Sequence, residues 1–272
     1  AAAILTVPLM TDLISRGLEV IYCAVLGNVG RLAARNMRDN KNTAQNITLL
    51  FISISAVIAI TNVGNFVTTY VGDVFRDAEL QGFADGTMGP EFVEQVKEME
   101  GIEKVLPLYV YKNQMKADGT MLSRLEATDN LVWYGSMMGL HYTEKDMEEQ
   151  ALSAFSDERV ILFSEACLER TGRSVGDAIT LTGAAGQNDY RIVGSFKSRA
   201  TDVEAVISST NAVSDFNPSS YDFLAYTAAD PDAIMVQIRG LFGKTANWSR
   251  TVEEFNADAL STVSAFYSPC TI

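Results

Sequence analysis

The chain has 272 residues, of which 47% are hydrophobic and 20% charged, with a net charge of −13. That is enough for one large domain or two small ones, and too apolar for an intrinsically disordered chain. The acidic excess removes the basic face that a nucleic-acid binder needs. Three cysteines and one histidine leave too little material for a disulfide scaffold or a Cys/His zinc site.

The chain opens with Ala1-Ala2-Ala3-Ile4-Leu5-Thr6-Val7, which is apolar, short and without a basic start. It is no secretory signal, and residues 1–9 read as the end of a preceding membrane helix, with Pro8 marking the exit into the cytoplasm. Over residues 10–42, Leu13, Leu18, Ile21, Val25, Val29, Leu32, Ala33 and Met37 recur at helical spacing, with Arg16, Arg31, Arg35 and Arg38 interleaved. This predicts an amphipathic helix, either along the inner membrane surface with its arginines near lipid phosphates or packed as an ordinary surface helix.

The thirty positions from Thr43 to Gly72 carry no charge. A bilayer core of roughly 30 Å takes about 20 apolar residues, and thirty residues of helix reach about 45 Å. Residues 43–75 are therefore expected to form a transmembrane helix continuing as a stalk through Asn62, Asn65 and Thr68. The competing reading is a buried core helix of a soluble protein, against which length and lack of charge both weigh. Residues 1–42 carry a net charge of +2 and residues 43–272 one of −15. Arg31, Arg35, Arg38 and Lys41 crowd before the apolar run, where basic residues mark the cytoplasmic side. Everything after it is expected outside the cell.

Residues 76–265 have the punctuation of an α+β domain. Gly89-Pro90 starts a short amphipathic helix ending near Met99, and Gly101 leads into a strand over 102–112 that Pro107 restricts to an edge or bulge. Residues 113–158 are polar and take no assignment. A strand over 159–163 precedes a helix over 165–170, capped by Ser164 and closed by Gly172. Residues 178–182 and 190–196 alternate as two strands joined around Gly183–Gly186, and 223–227 is another strand. Asp230-Pro231 opens a helix over 232–242. Thr251 with Glu254 is a capping-box pair for a last helix, and residues 266–272 begin a returning membrane helix.

No residue set looks catalytic. His141 has no second histidine to make a metal pair, and no spacing links it to Cys167 or to a serine as a nucleophile–base pair. Cys167 reads as a small buried hydrophobe, with a Cys167–Cys270 bridge the less favoured reading; Cys23 is expected to face the cytoplasm or the interface, and Cys270 the membrane. The acidic clusters 144–149 and 230–232 lack the spacing of a calcium loop and read as solvated helix faces. Gly183–Gly186 precedes no helix, so it makes no phosphate cradle. No catalytic, cofactor-binding or metal-ligating residue is assigned, and no cofactor is expected.

The run 26–42, LGNVGRLAARNMRDNKN, resembles the basic lead-in before a membrane helix in the FtsX/MacB-type permeases of ABC transporters. The segments 161–168, 172–181 and 190–196 are similar to the periplasmic core domain of the same family, most specifically at the turn Gly176-Asp177 before two alternating strands. Four-helix members begin at the lead-in, whereas here membrane-like residues precede it, as in the second repeat of a longer permease. The resemblance implies a MacB-like α+β extracytoplasmic domain on a transmembrane helix in a multi-pass membrane protein. It implies no enzyme: the chain has no Walker motif, so an ATPase on a separate cytoplasmic chain would drive it. A second permease copy and the lipid bilayer are the further expected partners. By position, residues 113–158 would be the family's variable partner-binding subdomain. Cargo would be lipid-linked, peptide or amphiphilic; the acidic outer domain could attract cationic peptides, though plain solubility explains its charge as well. Two rival classes are a membrane-anchored sensor or ligand-binding module, and an anchored hydrolase for which no constellation is present.

Overall fold

The computed structural model describes residues 27, 29, 41–144, 146–155 and 158–267. The readings for 1–9, for most of 10–42 and for 268–272 lie outside these residues. Two units are present, Thr69–Thr262 and the remainder, and each is taken by itself.

The charge-free run forms one helix, α1 (Lys41–Val74), unbroken at Gly64 or Gly72, whose residues up to Thr68 belong to the smaller unit. Its 34 residues extend about 51 Å. Among its described side chains, Leu50, Val57, Ile58, Val63 and Phe66 are exposed, Phe66 to 68%. So much open apolar surface is uncommon on a soluble domain. The Thr61 hydroxyl donates to the Val57 carbonyl at 2.8 Å, which satisfies that polar group within the helix. Among the described residues, no helix is long and apolar enough to cross a membrane.

The larger unit runs β1 (Gly82–Met88), α2 (Pro90–Lys97), β2 (Ile102–Ala117), β3 (Thr120–Thr128), α3 (Leu131–Met137), β4 (His141–Tyr142) and α4 (Met147–Ala154). It continues with β5 (Val160–Ser164), α5 (Glu165–Thr171), β6 (Ala178–Gly183), β7 (Gly186–Lys197), β8 (Ala205–Ser208) and α6 (Ser209–Phe216). The last elements are β9 (Tyr221–Ala228), α7 (Pro231–Phe242), β10 (Asn247–Thr251) and α8 (Val252–Tyr267).

Strands β10, β1, β9 and β2 form an antiparallel sheet in that order. From β2 the pairing continues through β3, β8, β5 and β7, and β6 joins β7 back to β2, so six strands close a ring. Within the ring β3 lies parallel to β8, and β5 to β7. The ring is filled by Met115, Leu122, Leu125, Phe163, Leu181 and Ile207. Helices α2 and α7 cover the four-stranded sheet through Val93, Val96, Ile234 and Ile238.

The long strand β2 belongs to both parts. Residues 102–108 pair with β9, and residues 109–117 pair with β3. Pro107 thus sits where the strand has one pairing neighbour, a place where a missing N–H is tolerated. The strand outruns its sequence reading by five residues, because a bulge hides its period. The register shifts between Lys112 and Met115, with Asn113 at φ 52°. Past it, buried Met115 and Ala117 alternate with exposed Gln114 and Lys116. Asp118-Gly119, both with positive φ, then make the tight turn that primed hairpins use. Residues 113–158 are thus laid out as the end of β2, then β3, α3, β4 and α4.

The capping readings hold. Ser164 accepts from the Cys167 N–H, and Gly172 closes α5 in the left-handed region at φ 66°. Asp230 caps α7, accepting from Ala233 at 3.0 Å. Thr251 and Glu254 each accept the other's backbone N–H, at 3.2 and 3.1 Å. The strands around Gly183–Gly186 form the expected hairpin.

Candidate functional site

The residues weighed for chemistry are kept apart. His141 is exposed on β4, and its Nε2 lies 3.3 Å from an Asp77 oxygen. Cys167, on α5, is a fully buried free thiol packed with the core of the ring, pushed up to about 11 by burial despite nearby Arg170. Arg170 donates to its sulfur at 3.4 Å. A thiol held protonated is a poor nucleophile. Cys23 and Cys270 lie outside the described residues. Asp146, Glu148 and Glu149 are solvated, and Asp230 is a helix cap. Among the described residues, no group of three or more His, Cys, Asp or Glu is placed to hold a metal.

What the fold does assemble is an aromatic pocket beside the points where the chain joins and leaves the larger unit. Alternation along β1 puts Ala84 and Met88 against α7 and leaves Phe83 and Asp85 on the opposite face. Across the sheet, Asp85 pairs in register with Trp248 of β10 and Phe223 of β9, which brings Phe83, Phe223 and Trp248 onto that face. Phe83 stacks on Phe223 at 5.7 Å and meets Trp248 at 5.1 Å. Phe255 of α8 packs edge-on to Phe83, Trp248 and, at 5.3 Å, Phe75. The cavity they bound measures about 450 Å³. Its buried floor is Leu80, Phe83 and Met138; Arg199, Asp202 and Trp248 are exposed at its rim.

Gln81 ties the surroundings together. Its N–H donates to the Tyr226 carbonyl at 3.0 Å, its carbonyl accepts from Val252 at 2.8 Å, and its side-chain oxygen accepts from Ala228 at 2.7 Å. One residue thus joins the incoming segment, β9 and the start of α8. The next residue must be glycine, since a Cβ on Gly82 would lie 2.4 Å from the Tyr226 ring.

Behind the pocket runs a buried polar chain. Glu126, with no exposed surface, accepts from Arg124 Nε at 2.6 Å and from the Tyr134 hydroxyl at 2.5 Å. Burial works against the Arg124 charge, yet the Glu126 carboxylate more than offsets it and holds the guanidinium above its ordinary value. Burial, and then Glu126, push the Tyr134 phenol well up, so it stays a donor. Arg124 also reaches Asp202 at 3.2 Å and lies over the Phe223 ring at 5.8 Å. Asp85 pairs with Lys112 at 3.0 Å.

Sequence reasoning named none of these residues as a site. The one available signal was the aromatic content of segments 75–83, 223 and 248–255, which alternation alone assigns to a core.

A search of curated proteins finds no match. Solved structures resembling the chain include the periplasmic region of MacB from Actinobacillus actinomycetemcomitans, at 10% identity and TM-score 0.48, covering 68% of this chain and 94% of that one. The extracellular domain of the noncanonical ABC-type transporter YknZ from Gram-positive bacteria matches at 13% identity and TM-score 0.43, over 63% and 98% of the two chains. A domain of a putative permease from Porphyromonas gingivalis matches at 14% and 0.40, over 64% and 88%. Likeness of that degree decides nothing by itself. A family model described as MacB-like periplasmic core domain matches residues 43–241, most of the chain, and the chain belongs to that family.

Proposed function

We propose that the chain is the extracytoplasmic core and flanking helix of an ABC-transporter permease, driven by an ATPase on a separate cytoplasmic chain. In this reading residues 43–75 cross the bilayer once and continue as a stalk, and residues 266–272 begin the return. The membrane span is supported by thirty consecutive uncharged positions in one continuous helix and by the exposed apolar side chains along it. ATP-driven closure of the partner would move both membrane helices, and the larger unit would follow. The protein would thus be a multi-pass membrane protein exporting or releasing a lipid-linked, peptide or amphiphilic cargo.

The observation that carries this reading is the junction at Gln81, Phe75 and Phe255. The segments through which force would enter and leave are bonded to each other and to the sheet, so a displacement of either reaches β1 and β9 directly. A continuous helix transmits displacement because bending it requires a break in its hydrogen-bond ladder.

The test is purification of the affinity-tagged, full-length parent protein from membranes in mild detergent. An ATP-hydrolysing subunit of another chain should follow it through two columns. Recovery of the parent in the aqueous fraction, or from membranes with no ATPase attached, overturns the reading.

A further inference from the structure

We propose that the aromatic pocket binds the alkyl chain of a single-chain amphiphile whose carboxylate head sits on the Arg199 guanidinium. At about 450 Å³ the cavity falls within the roughly 300–1,000 Å³ typical of small-molecule sites. Its walls are the rings of Phe75, Phe83, Phe223, Trp248 and Phe255 over a floor completed by Leu80 and Met138. The rings over this floor suit a hydrocarbon chain, while Arg124, Ser198, Thr201 and the rim charges give the lining a polar part for a head group.

The rim charges choose the head. Asp85 is engaged by Lys112, and Asp202 by Arg124, which also holds Glu126. Arg199 lines the same rim, is exposed, and makes no ion pair among the described residues. A cationic head would find both carboxylates already paired and would face a guanidinium that has no ion pair among the described residues. A monovalent anion balances that charge, and a carboxylate also matches the fork of an arginine.

This rests on the permease reading only for where the amphiphile comes from; binding is a property of the pocket, and the two fail separately, one in ligand titration and the other in ATPase co-purification. The test uses the chain in lipid nanodiscs with Trp133→Phe, which leaves Trp248 as the sole tryptophan. A long-chain carboxylate carrying bromine at its far end is titrated against Trp248 fluorescence. Saturable quenching is expected, competed by dodecanoate and not by dodecyltrimethylammonium. Arg199→Gln, a surface change, should weaken binding about tenfold through loss of the charge-assisted bonds. Ala200→Phe, which fills the cavity, should abolish saturable quenching with the thermal unfolding curve retained. If Ala200→Phe unfolds, Arg199→Gln decides alone. Equal competition by the cationic amphiphile, or binding unchanged in Arg199→Gln, overturns the proposal, as does undiminished quenching in a folded Ala200→Phe.

Discussion

The backbone carbonyl of Gln81 accepts the N–H of Val252 at 2.8 Å, so residues 171 positions apart are fastened where the chain joins and leaves the larger unit. Phe75, six residues before Gln81, and Phe255, three residues after Val252, meet edge to face with planes 80° apart. Backbone bond and ring contact are mutually reinforcing, since each fixes the separation that the other needs.

Movement through α1 should depend on its remaining an unbroken rod. Proline at Val57 or Ile58 removes an intrahelical bond and clashes with the preceding turn, at about 3 kcal/mol. In the assembled transporter, Val57→Pro with Ile58→Pro is expected to leave ATP hydrolysis running while transport stops, with the larger unit still folded by circular dichroism. Equal ATP-coupled export by the double variant would defeat the lever.

The buried chain Arg124–Glu126–Tyr134 should be costly to break. Glu126→Ala strands a mostly buried guanidinium, with only solvent-exposed Asp202 left to it, and should lose about 3–5 kcal/mol in urea unfolding. Tyr134→Phe removes one donor but leaves the ion pair, so about 1–3 kcal/mol is expected. A smaller loss in Glu126→Ala than in Tyr134→Phe would show that the charge pair is not what the site depends on.

Two glycines four residues apart, Gly135 and Gly139, should respond with opposite signs. Gly139 has φ 58°, and a Cβ there would lie 2.8 Å from the Asp77 carbonyl oxygen. Gly139→Ala should therefore lose more than about 1 kcal/mol from backbone strain, with the clash in addition. Gly135 lies within α3 with open space around it, so Gly135→Ala should gain roughly 0.5–1 kcal/mol. Chemical denaturation of the two variants decides; destabilisation by both would contradict the local geometry.

Stability should fall in acid through Asp215. Hydrogen bonds from Arg159, at 2.8 and 2.7 Å, hold its carboxyl below the usual range; burial opposes them, and the Tyr190 hydroxyl at 2.8 Å helps. A depressed carboxyl stabilises the fold fully above its unfolded value, about 3.9, and that contribution is lost as pH falls through the folded value. Asp215→Asn should lower stability at neutral pH and flatten its decline below about pH 4. A variant with the same acid slope as the parent would remove Asp215 from the account.

Local chemistry was legible in the sequence, and closure was not. Ser164, Gly172, Asp230 and the pair Thr251–Glu254 act within one helical turn, so a short window holds all their partners. The ring closes through the pairs Lys116–Thr182 and Ala117–Leu181, some 65 residues apart, which no periodicity reports. Strand β8 is four residues long, and β10, Asn-Trp-Ser-Arg-Thr, buries Ser249 and Thr251 while exposing Trp248, so neither shows the usual apolar alternation. The Asp118-Gly119 turn was a usable signal, masked by the bulge at Asn113. The pocket draws on the segments 74–85, 124, 138, 198–202, 223, 248 and 255, and only the finished fold brings these together.

Because β2 is a member of both sheets, the larger unit offers no seam along this strand at which it can be divided. Cutting anywhere between Ile102 and Ala117 would deprive the ring and the four-stranded sheet together, so limited digestion should yield either the whole body or small peptides. Grafts and chimaeras exchanging only one half with a relative would have to carry this strand along, and inherit its kink.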